Sequence, residues 1–464
     1  MKFNKIIFRF ITAIIIISIL LIPIVLQAKE INLKEAIDWG IQHNYDLEII
    51  KNNINTLERD LAILETDKAL QANLDVTPIW DFGKGLVGDN SLIKFTAKKT
   101  IADDFNISAE ISWNENDFAD MSFEGITSSA SASIQVEKQI YPNSYTQNEQ
   151  QIFQTENNLK KKAEELSWKG AEKQIDFIEG YLALVRSTEE VNIFDKRLQL
   201  ATEDLERVQQ QIRLGEGGYQ QETEAKIALM EAENQFFNLK QNLTQQQNEW
   251  YLGLNLSKDI QVQFKGEPAY LQTLRSNIEQ LTLEGEKQET LFKQALDKHY
   301  QIKNAYIDKE TLLKEVKWTE NEGKPQMNVS GGYDLSDDYW YARLDLSWNL
   351  TDGGAQKLKE EGAKTTILQK EKELDQLTKS LQLEMNQIID QDQYNQLNLR
   401  AKLAALEQEQ YTKNILEKQY QEKIISSTQW QNQLIALAEQ ELKVKEAQDL
   451  LLVNRLRLAH FLGI

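Results

Sequence analysis

The chain contains no cysteine and only five prolines among its 464 residues. The missing cysteine excludes disulfides, thiolate metal sites, cysteine nucleophiles and a lipid-bearing cysteine behind a signal sequence. Proline costs about 3 kcal/mol inside a helix, so the stretches between prolines are free to be helical. The longest of them are residues 143–214 and 354–421. The sequence therefore predicts long helices rather than a loop-rich globular enzyme.

Acidic residues outnumber basic residues in this chain. The chain has 52 basic and 72 acidic residues, which give a formal net charge of −20. A phosphate backbone would repel such a chain, so nucleic acid is not expected as a partner. Electrostatic binding to anionic lipid is disfavoured for the same reason.

Residues that carry catalytic or metal chemistry are few. His43, His299 and His460 are the only histidines, and none has a second ligand at metal-site spacing. The glycine-rich segment 215–218 follows a predicted helix and lacks the Lys-Ser/Thr of a phosphate-binding loop, so it is interpreted as a turn between helices. We expect no catalytic, cofactor-binding or metal-binding site, and no enzymatic activity.

Long apolar runs occur only at the N-terminus. Three basic residues precede an apolar run over residues 10–26, and the small residue Ala28 follows this run at a position where a signal peptidase could cut. This pattern predicts a signal peptide at residues 1–28. An uncleaved signal anchor is the alternative, because about 17 apolar residues are the lower limit for crossing a bilayer. If the mature chain enters a membrane, we expect it to do so as a β-barrel.

The first long helical stretch carries one apolar seam. Its members alternate spacings of four and three residues, as in coiled coils. They are Phe194, Leu198, Ala201, Leu205, Val208 and Ile212. The other faces are rich in Gln, Glu, Lys and Asn, which suits the wall of a tube better than a compact core.

Segments with a period of two predict β-strands near residues 128–141 and 342–350, with weaker partners near 74–82 and 326–335. Such alternation suits a strand that faces lipid on one side and a watery lumen on the other. A soluble hairpin sheet explains the alternation equally well. Further candidates at 92–98 and 105–113 either extend the sheet or form an external flap.

The order strand, long helix, turn, shorter helix occurs twice and indicates a duplication. The predicted organisation has a first repeat at 29–255, a linker or equatorial segment at 256–288 and a second repeat at 289–464. The helical hairpins are predicted at 143–252 and 354–462. Because neither repeat can bury its own seam, side-by-side packing and oligomerisation are expected.

Three motifs resemble the TolC-type outer-membrane efflux protein family. Residues 31–37 (Ile-Asn-Leu-Lys-Glu-Ala-Ile), followed by 43–47, are similar to the family's first-helix pattern. Residues 324–333 resemble its entry from helix to strand. Residues 344–354 resemble its strand that leads through Asp-Gly-Gly into a long helix. In the first repeat the last motif is degenerate, with Tyr-Pro-Asn-Ser at 141–144.

The resemblance implies a mainly α fold with a β membrane part. The duplicated repeat would form a trimeric α-helical periplasmic barrel of coiled-coil character, joined to an outer-membrane β-barrel with four strands from each protomer. The implied function is the exit duct of a tripartite efflux or type I secretion system, which conducts substrates passively. The implied partners are two further copies in a homotrimer, outer-membrane lipid, a periplasmic adaptor (membrane fusion protein) and an inner-membrane pump of the RND, ABC or MFS class. A membrane-tethered periplasmic coiled-coil scaffold is the alternative.

The resemblance also assigns roles to the two helix-to-helix turns, which would dock the adaptor. The docking residues are Arg213, Leu214, Gly215, Glu216, Gly217, Tyr420, Lys423 and Ser426. Family members have acidic residues after the second turn that ring the aperture, and matching places Gln429 and Asn432 there. Glu222 and Glu224 follow the first turn. If they face inward, they are the alternative source of negative charge at the aperture and of a preference for cations; the other interpretation places them on a solvated outer face.

Overall fold

A computed structural model describes residues 29–77, 80–81, 85–86, 92–101, 105–114, 131–257, 260–264, 266, 268–278, 287–335 and 337–464. The predicted signal peptide, residues 1–28, lies outside the described residues, as do residues 128–130 of one predicted strand. Most of the described chain is helical. Within these residues, no helix combines the length and the hydrophobicity that crossing a membrane requires.

Nine helices and ten strands occur in the described residues. The helices are α1 (Leu33–His43), α2 (Tyr45–Thr66), α3 (Gln147–Arg213), α4 (Tyr219–Gly253), α5 (Ala269–Ile278), α6 (Lys287–Lys298), α7 (Tyr300–Glu322), α8 (Ala355–Gln421) and α9 (Ser427–Phe461). The strands are β1 (Lys29–Ile31), β2 (Gln71–Thr77), β3 (Trp80–Asp81), β4 (Gly85–Leu86), β5 (Leu92–Ile101), β6 (Phe105–Asn114), β7 (Ser131–Tyr141), β8 (Ile260–Val262), β9 (Gln326–Asp334) and β10 (Tyr339–Ser347).

The two halves of the chain have matching helices. Each contains a helix of 67 residues followed by one of 35 residues, α3 with α4 and α8 with α9. Each half also opens with a short helix that is joined to a longer one through a single capping residue, Asn44 or His299. The Asn44 side chain accepts from the backbone N–H of Asp46, and His299 Nδ1 accepts from that of Gln301. His299 therefore occupies the second-repeat position of Asn44.

Some element bounds differ from the sequence prediction. The strand predicted at 342–350 is Tyr339–Ser347, so Trp348 and Leu350 follow it, and the strand predicted near 74–82 is Gln71–Thr77. The predicted linker or equatorial segment, residues 256–288, contains β8 and α5 among its described residues. Strand β8 pairs in parallel with β1, more than 200 residues earlier. Local periodicity carries no signal for a three-residue strand whose partner is so distant.

The chain divides into two compact units. The first comprises the described residues of 29–47, 171–282 and 388–459 and contains the main hydrophobic core. This core joins α1, α3, α4, α5, α9 and the short parallel sheet. At its centre Trp250 is buried and donates from Nε1 to the carbonyl of Phe177 at 3.0 Å. The indole also lies close to Gly180, whose missing side chain leaves room for it.

Within this unit α3 and α9 pack antiparallel. Polar contacts join Glu179 to Arg457, Arg186 to Asp449, Arg197 to Glu439 and Asp204 to Thr428. From one pair to the next, the residue number rises along α3 by nearly as much as it falls along α9. One antiparallel register therefore holds along the whole contact. The apolar seam between them is made by Ile193, Leu200 and Ile435. On the other sides, α4 contacts α3 and α8 contacts α9, through bonds such as Ser187 to Gln246 and Gln433 to Glu409.

A buried carboxylate lies in the same unit. Asp449 is 2% exposed and contacts Arg186 at 2.6 Å and Arg275 of α5 at 3.2 Å. Burial raises the pKa of Asp449, while the two guanidinium groups act in the opposite direction. The group links α9 both to α3 and to the linker helix α5.

The second unit comprises residues 48–170, 283–387 and 460–464. Helices α2, α3, α7 and α8 pack side by side, and Asp308 of α7 bridges Lys161 of α3 and Lys370 of α8 at 2.7 and 3.0 Å. The same unit contains a six-stranded antiparallel sheet with the order β10-β9-β7-β6-β5-β2. Strands β5 and β6, whose role the sequence left open, lie inside this sheet between β2 and β7.

We expect Gly180→Ala to destabilise the protein, because an added Cβ would lie 2.6 Å from the Trp250 ring. Overpacking of this kind costs about 1–3 kcal/mol, which outweighs the gain in helix propensity of about 1 kcal/mol. Gly170→Ala is the matched control, since it lies in the same helix with no atom within 4 Å of an added Cβ. The control should raise the thermal unfolding midpoint of the purified protein and Gly180→Ala should lower it. A rise for both would contradict the close packing of Trp250.

We expect His299→Asn to reduce the acid sensitivity of folding. His299 is 4% exposed, and burial together with the nearby His460 lowers its pKa from 6.5 to about 4. Between these pH values the unfolded chain binds more protons than the folded chain, so stability is lost as pH falls from 6.5 toward 4. Asparagine, the residue at the matching position 44, retains a capping group without titrating.

The difference in unfolding free energy between pH 7 and pH 4.5 should shrink by about 2 kcal/mol in this variant. Denaturant unfolding at the two pH values measures the difference. His43→Asn provides the control, because His43 is only partly buried, at the end of α1. Equal acid sensitivity of His299→Asn and wild type would rule out His299 as its source.

Candidate functional site

The six-stranded sheet has one apolar face. Directly opposed residues on neighbouring antiparallel strands point to the same side, so the strand registers trace a face across the sheet. One such row runs from Ala109 through Ile134 and Tyr333 to Trp340. The apolar residues of this face include Ala72, Leu74, Val76, Ile93, Phe95, Ala97, Ile107, Ala109, Ile111, Ala132, Ile134, Val136, Val329, Gly331, Tyr333, Trp340, Ala342, Leu344 and Leu346. Two lysines, Lys99 and Lys138, lie on the same face near one end of their strands.

Much of this face is exposed to solvent. Leu74, Leu344 and Leu346 are 64%, 58% and 66% exposed, and the side chains of Ile134 and Val329 are exposed as well. An apolar surface of this extent is unfavourable in water and marks a contact with lipid or with another protein. The alternation predicted at 342–350 is therefore present over Tyr339–Ser347, with its apolar side uncovered.

The opposite face of the sheet is polar. It includes Asn73, Asp75, Lys94, Thr96, Ser108, Glu110, Ser133, Gln135, Asn328, Ser330, Arg343 and Asp345. Ion pairs join Lys94 to Glu110 and Arg343 to Asp345, each at 2.8 Å. The two faces are thus chemically distinct on all six strands. A sheet with this division can separate a hydrocarbon phase from water.

The two helix-to-helix turns have the same backbone geometry. After α3, the N–H of Gly215 bonds to the carbonyl of Ile212 and that of Glu216 to the carbonyl of Gln211. After α8, Lys423 bonds to Tyr420 and Ile424 to Gln419 in the same pattern. These are Schellman C-caps, in which the residue after the cap adopts a left-handed conformation. Gly215 and Lys423 have φ values of +80° and +62°, so Lys423 is the second-repeat counterpart of Gly215.

The helices that follow the turns are capped by glutamine. Gln221 Oε1 accepts from the N–H of Gly218 at 3.2 Å. In the second turn, Gln429 Oε1 accepts from the N–H of Ser426 at 3.0 Å, and the Ser426 hydroxyl accepts from the N–H of Gln429. This is a capping box. Gln429, a sequence-predicted aperture residue, therefore has a structural role in starting α9.

Both turns present apolar side chains outward. Leu214 is 72% exposed, and Tyr219 and Ile424 are also exposed. Arg213 ends α3, while Gly217 packs so closely on Ile212 that a Cβ would lie 2.9 Å from it. Tyr420 stacks on Trp430 with ring centroids 5.9 Å apart. The predicted docking residues thus lie at the closed ends of the two hairpins, and Trp430 is a supporting residue that sequence reasoning missed.

The two acidic aperture candidates differ in their surroundings. Glu222 lies 2.7 Å from Lys226 and accepts a hydrogen bond from Gln209 of the preceding helix at 3.4 Å. The hydrogen bond from Lys226 lowers the pKa of Glu222, so the carboxylate is ionised but locally neutralised. Glu224 is exposed and accepts from Gln220 at 3.0 Å. Asn432 is exposed on α9.

The three histidines occupy two local environments. His43 stacks on Trp39 with ring centroids 3.9 Å apart. His299 and His460 both contact Trp168, at 4.3 and 4.1 Å between centroids. Among the residues that the structure describes, no group of three or more histidine, cysteine or acidic side chains is arranged to hold a metal ion.

Comparisons with known proteins give a likeness in structure and none in sequence. No family model and no curated protein sequence matches the chain. Solved structures do match: CusC, studied for transmembrane channel formation, is 12% identical with a TM-score of 0.65, covering 93% of this chain and 91% of that chain.

Two other solved structures give the same result. The outer membrane protein VceC from Vibrio cholerae is 12% identical with a TM-score of 0.62, covering 93% of this chain and 96% of that chain. The Campylobacter jejuni CmeC outer membrane channel is 10% identical with a TM-score of 0.63, covering 93% and 85%. At such identities the likeness concerns the fold alone. The chain has the fold of the TolC-type outer-membrane channels.

Proposed function

We propose that this protein is an outer-membrane channel subunit that passively conducts substrates from a periplasmic adaptor and an inner-membrane pump to the exterior. The observation that carries the proposal is the sheet with one exposed apolar face and one polar face. In an outer-membrane barrel such strands place apolar side chains against lipid and polar side chains against the lumen. The channel fold supports the same function. No catalytic step is part of this proposal.

Exposed apolar residues on the helices support assembly with further copies. On α4 they include Ile227, Met230 and Phe237, and on α8 they include Leu397, Tyr411 and Ile415. These two helices lie on the outer sides of α3 and α9, so their exposed faces are available to neighbouring chains. A homotrimer, as the family resemblance implies, would cover these faces and close the helices into a periplasmic tunnel.

The hairpin turns are the proposed contact with the adaptor. They combine rigid Schellman geometry with exposed side chains at the ends of 67-residue helices, and a rigid surface loses little entropy on binding. Energy for transport would come from the pump, in an efflux or type I secretion system. The contribution of Glu222 and Glu224 to cation preference stays a prediction, and the pairing of Glu222 with Lys226 favours Glu224 for that role.

A membrane-tethered coiled-coil scaffold is the competing function. A scaffold would use the long helices, but it gives no reason for six strands with an exposed apolar face. Membrane fractionation followed by gel electrophoresis of heated and unheated samples separates the two. The channel requires an oligomer in the outer membrane that resists detergent and dissociates on heating, whereas a monomer outside the outer membrane would reject it.

We expect Leu344→Arg to impair membrane insertion. Leu344 lies near the middle of β10 on the apolar face, where an arginine that faces lipid at the bilayer midplane costs about 2–4 kcal/mol. Asp345→Arg, at the neighbouring position on the polar face of the same strand, is the matched control. The amount of heat-modifiable oligomer in the outer membrane measures the effect. If both variants accumulate to the wild-type level, the apolar face does not contact lipid.

We expect Leu214→Glu to weaken adaptor binding without affecting the oligomer. Leu214 is 72% exposed at the end of the first hairpin, so the substitution removes an apolar contact without disturbing the folded chain. Ile63→Glu is the control, because Ile63 is 64% exposed on α2, outside the hairpin turns and the helix faces proposed to contact further copies. Crosslinking in cells, followed by affinity capture, should recover several-fold less adaptor with Leu214→Glu alone. Equal recovery from both variants would place the adaptor elsewhere.

A further inference from the structure

The strand pair β5–β6 is built like the rest of the sheet. Each strand has 10 residues, and β5 pairs with β6 over its whole length. Strand β6 pairs with β7 over 106–112, and β5 pairs with β2 over 92–98. A membrane-spanning strand needs about 9–11 residues. The pair therefore has the length, the neighbours and the alternating faces of a membrane strand pair, and not those of an external flap.

We propose that β5 and β6 belong to the membrane wall, so that each copy contributes six strands, and that β10 of one copy pairs antiparallel with β2 of the next. This inference rests on the proposed channel function. It departs from the four strands per protomer that the family resemblance implies. In a homotrimer the wall would have eighteen strands instead of twelve, and its diameter would be about 1.5-fold larger, because barrel diameter grows nearly linearly with strand number.

Positions of charge and of chain connections agree with this placement. On the apolar face, Lys99 and Lys138 lie near the strand ends from which the long helices start, and Lys138 Nζ is 4.4 Å from the centre of the Phe105 ring. Lysines at the edge of an apolar band reach the membrane surface with their amino groups.

The lengths of the connections agree with the same orientation. At the end of the sheet that carries these lysines, β5 and β6 are joined by three residues (102–104), whereas β6 and β7 are joined at the opposite end by sixteen (115–130). Outer-membrane barrels have short periplasmic turns and longer external loops.

The open edges of the sheet require a second copy. Strands β2 and β10 each have one neighbour in the sheet, and every described residue of β2 is exposed. In lipid, unpaired backbone groups on an edge are very unfavourable, so membrane sheets close on themselves. Six strands are fewer than the eight of the smallest bacterial barrels, which excludes closure within one chain.

Strand direction and side-chain pattern make the two edges complementary. Five successive antiparallel pairings leave β2 and β10 running in opposite directions, so β10 of one copy meets β2 of the next as an antiparallel neighbour. Both edges carry apolar residues on the same face, Leu74 and Val76 on β2 and Leu344 and Leu346 on β10. Pairing across copies therefore continues the apolar face and the polar face without interruption.

Disulfide trapping tests the proposal directly, because the natural chain contains no cysteine. Ala109→Cys with Ile134→Cys places two thiols on directly opposed residues of β6 and β7. Such residues have the spacing that a disulfide requires. The pair should oxidise within one chain in outer-membrane preparations. In an arrangement with β5–β6 outside the wall, β2 would lie beside β7, and Leu74→Cys with Ile134→Cys, Ala132→Cys or Val136→Cys would oxidise instead.

The contact between copies is tested with Leu74→Cys combined in turn with Ala342→Cys, Leu344→Cys and Leu346→Cys, which covers the possible registers on one face. At least one combination should give covalent oligomers up to a trimer on non-reducing denaturing gels, while the corresponding single variants give none. Absence of such oligomers from all three combinations, in membranes that contain the heat-modifiable oligomer, would overturn the six-strand wall. Absence of that oligomer from wild-type membranes would instead reject the channel function.

Discussion

The antiparallel contact between α3 and α9 is the interaction on which the helical structure depends, because it joins the two repeats. Its register is maintained by polar pairs from Glu179–Arg457 to Asp204–Thr428, with an apolar seam between them. The buried Asp449 lies in this contact and also bonds to α5, so a displacement of either long helix would leave a buried charge without its partners. Burying a charge is unfavourable unless the geometry is retained, which makes this group a strong constraint on register.

The long helices have little core of their own. Polar residues occupy most of their surface, and the main hydrophobic core of the first unit forms only where α1, α5 and the short parallel sheet meet α3, α4 and α9. Packing in this core is close, as the contact between Gly180 and the Trp250 indole shows. Elsewhere apolar residues remain exposed on the outer faces of α4 and α8. Contacts with further copies would cover those faces, which connects the packing of these helices to the proposed function.

The sheet and the hairpin turns both depend on local sequence, the sheet for its two different faces and the turns for the hydrogen bonds at the helix ends. In the sheet, a period of two places apolar and polar side chains on opposite faces, and pairing satisfies the backbone of every inner strand. In the turns, a left-handed residue and a capping glutamine satisfy the backbone groups that each helix end leaves without partners. The second turn places Lys423 where the first has Gly215, so the geometry is retained at the expense of a less favourable backbone conformation.

The sequence by itself determined the features that depend on neighbouring residues. The spacing of prolines and of apolar residues predicted hairpins at 143–252 and 354–462, close to the observed 147–253 and 355–461, and the family resemblance matched Lys423 to Gly215. Only the tertiary structure decided the features that join distant segments. It inserted β5 and β6 between β2 and β7, paired β8 with β1, and brought Arg186 and Arg275 to Asp449 across 263 and 174 residues. The physical reason is that periodicity reports which side of an element is apolar, whereas the partner of that side is selected by packing of the whole chain.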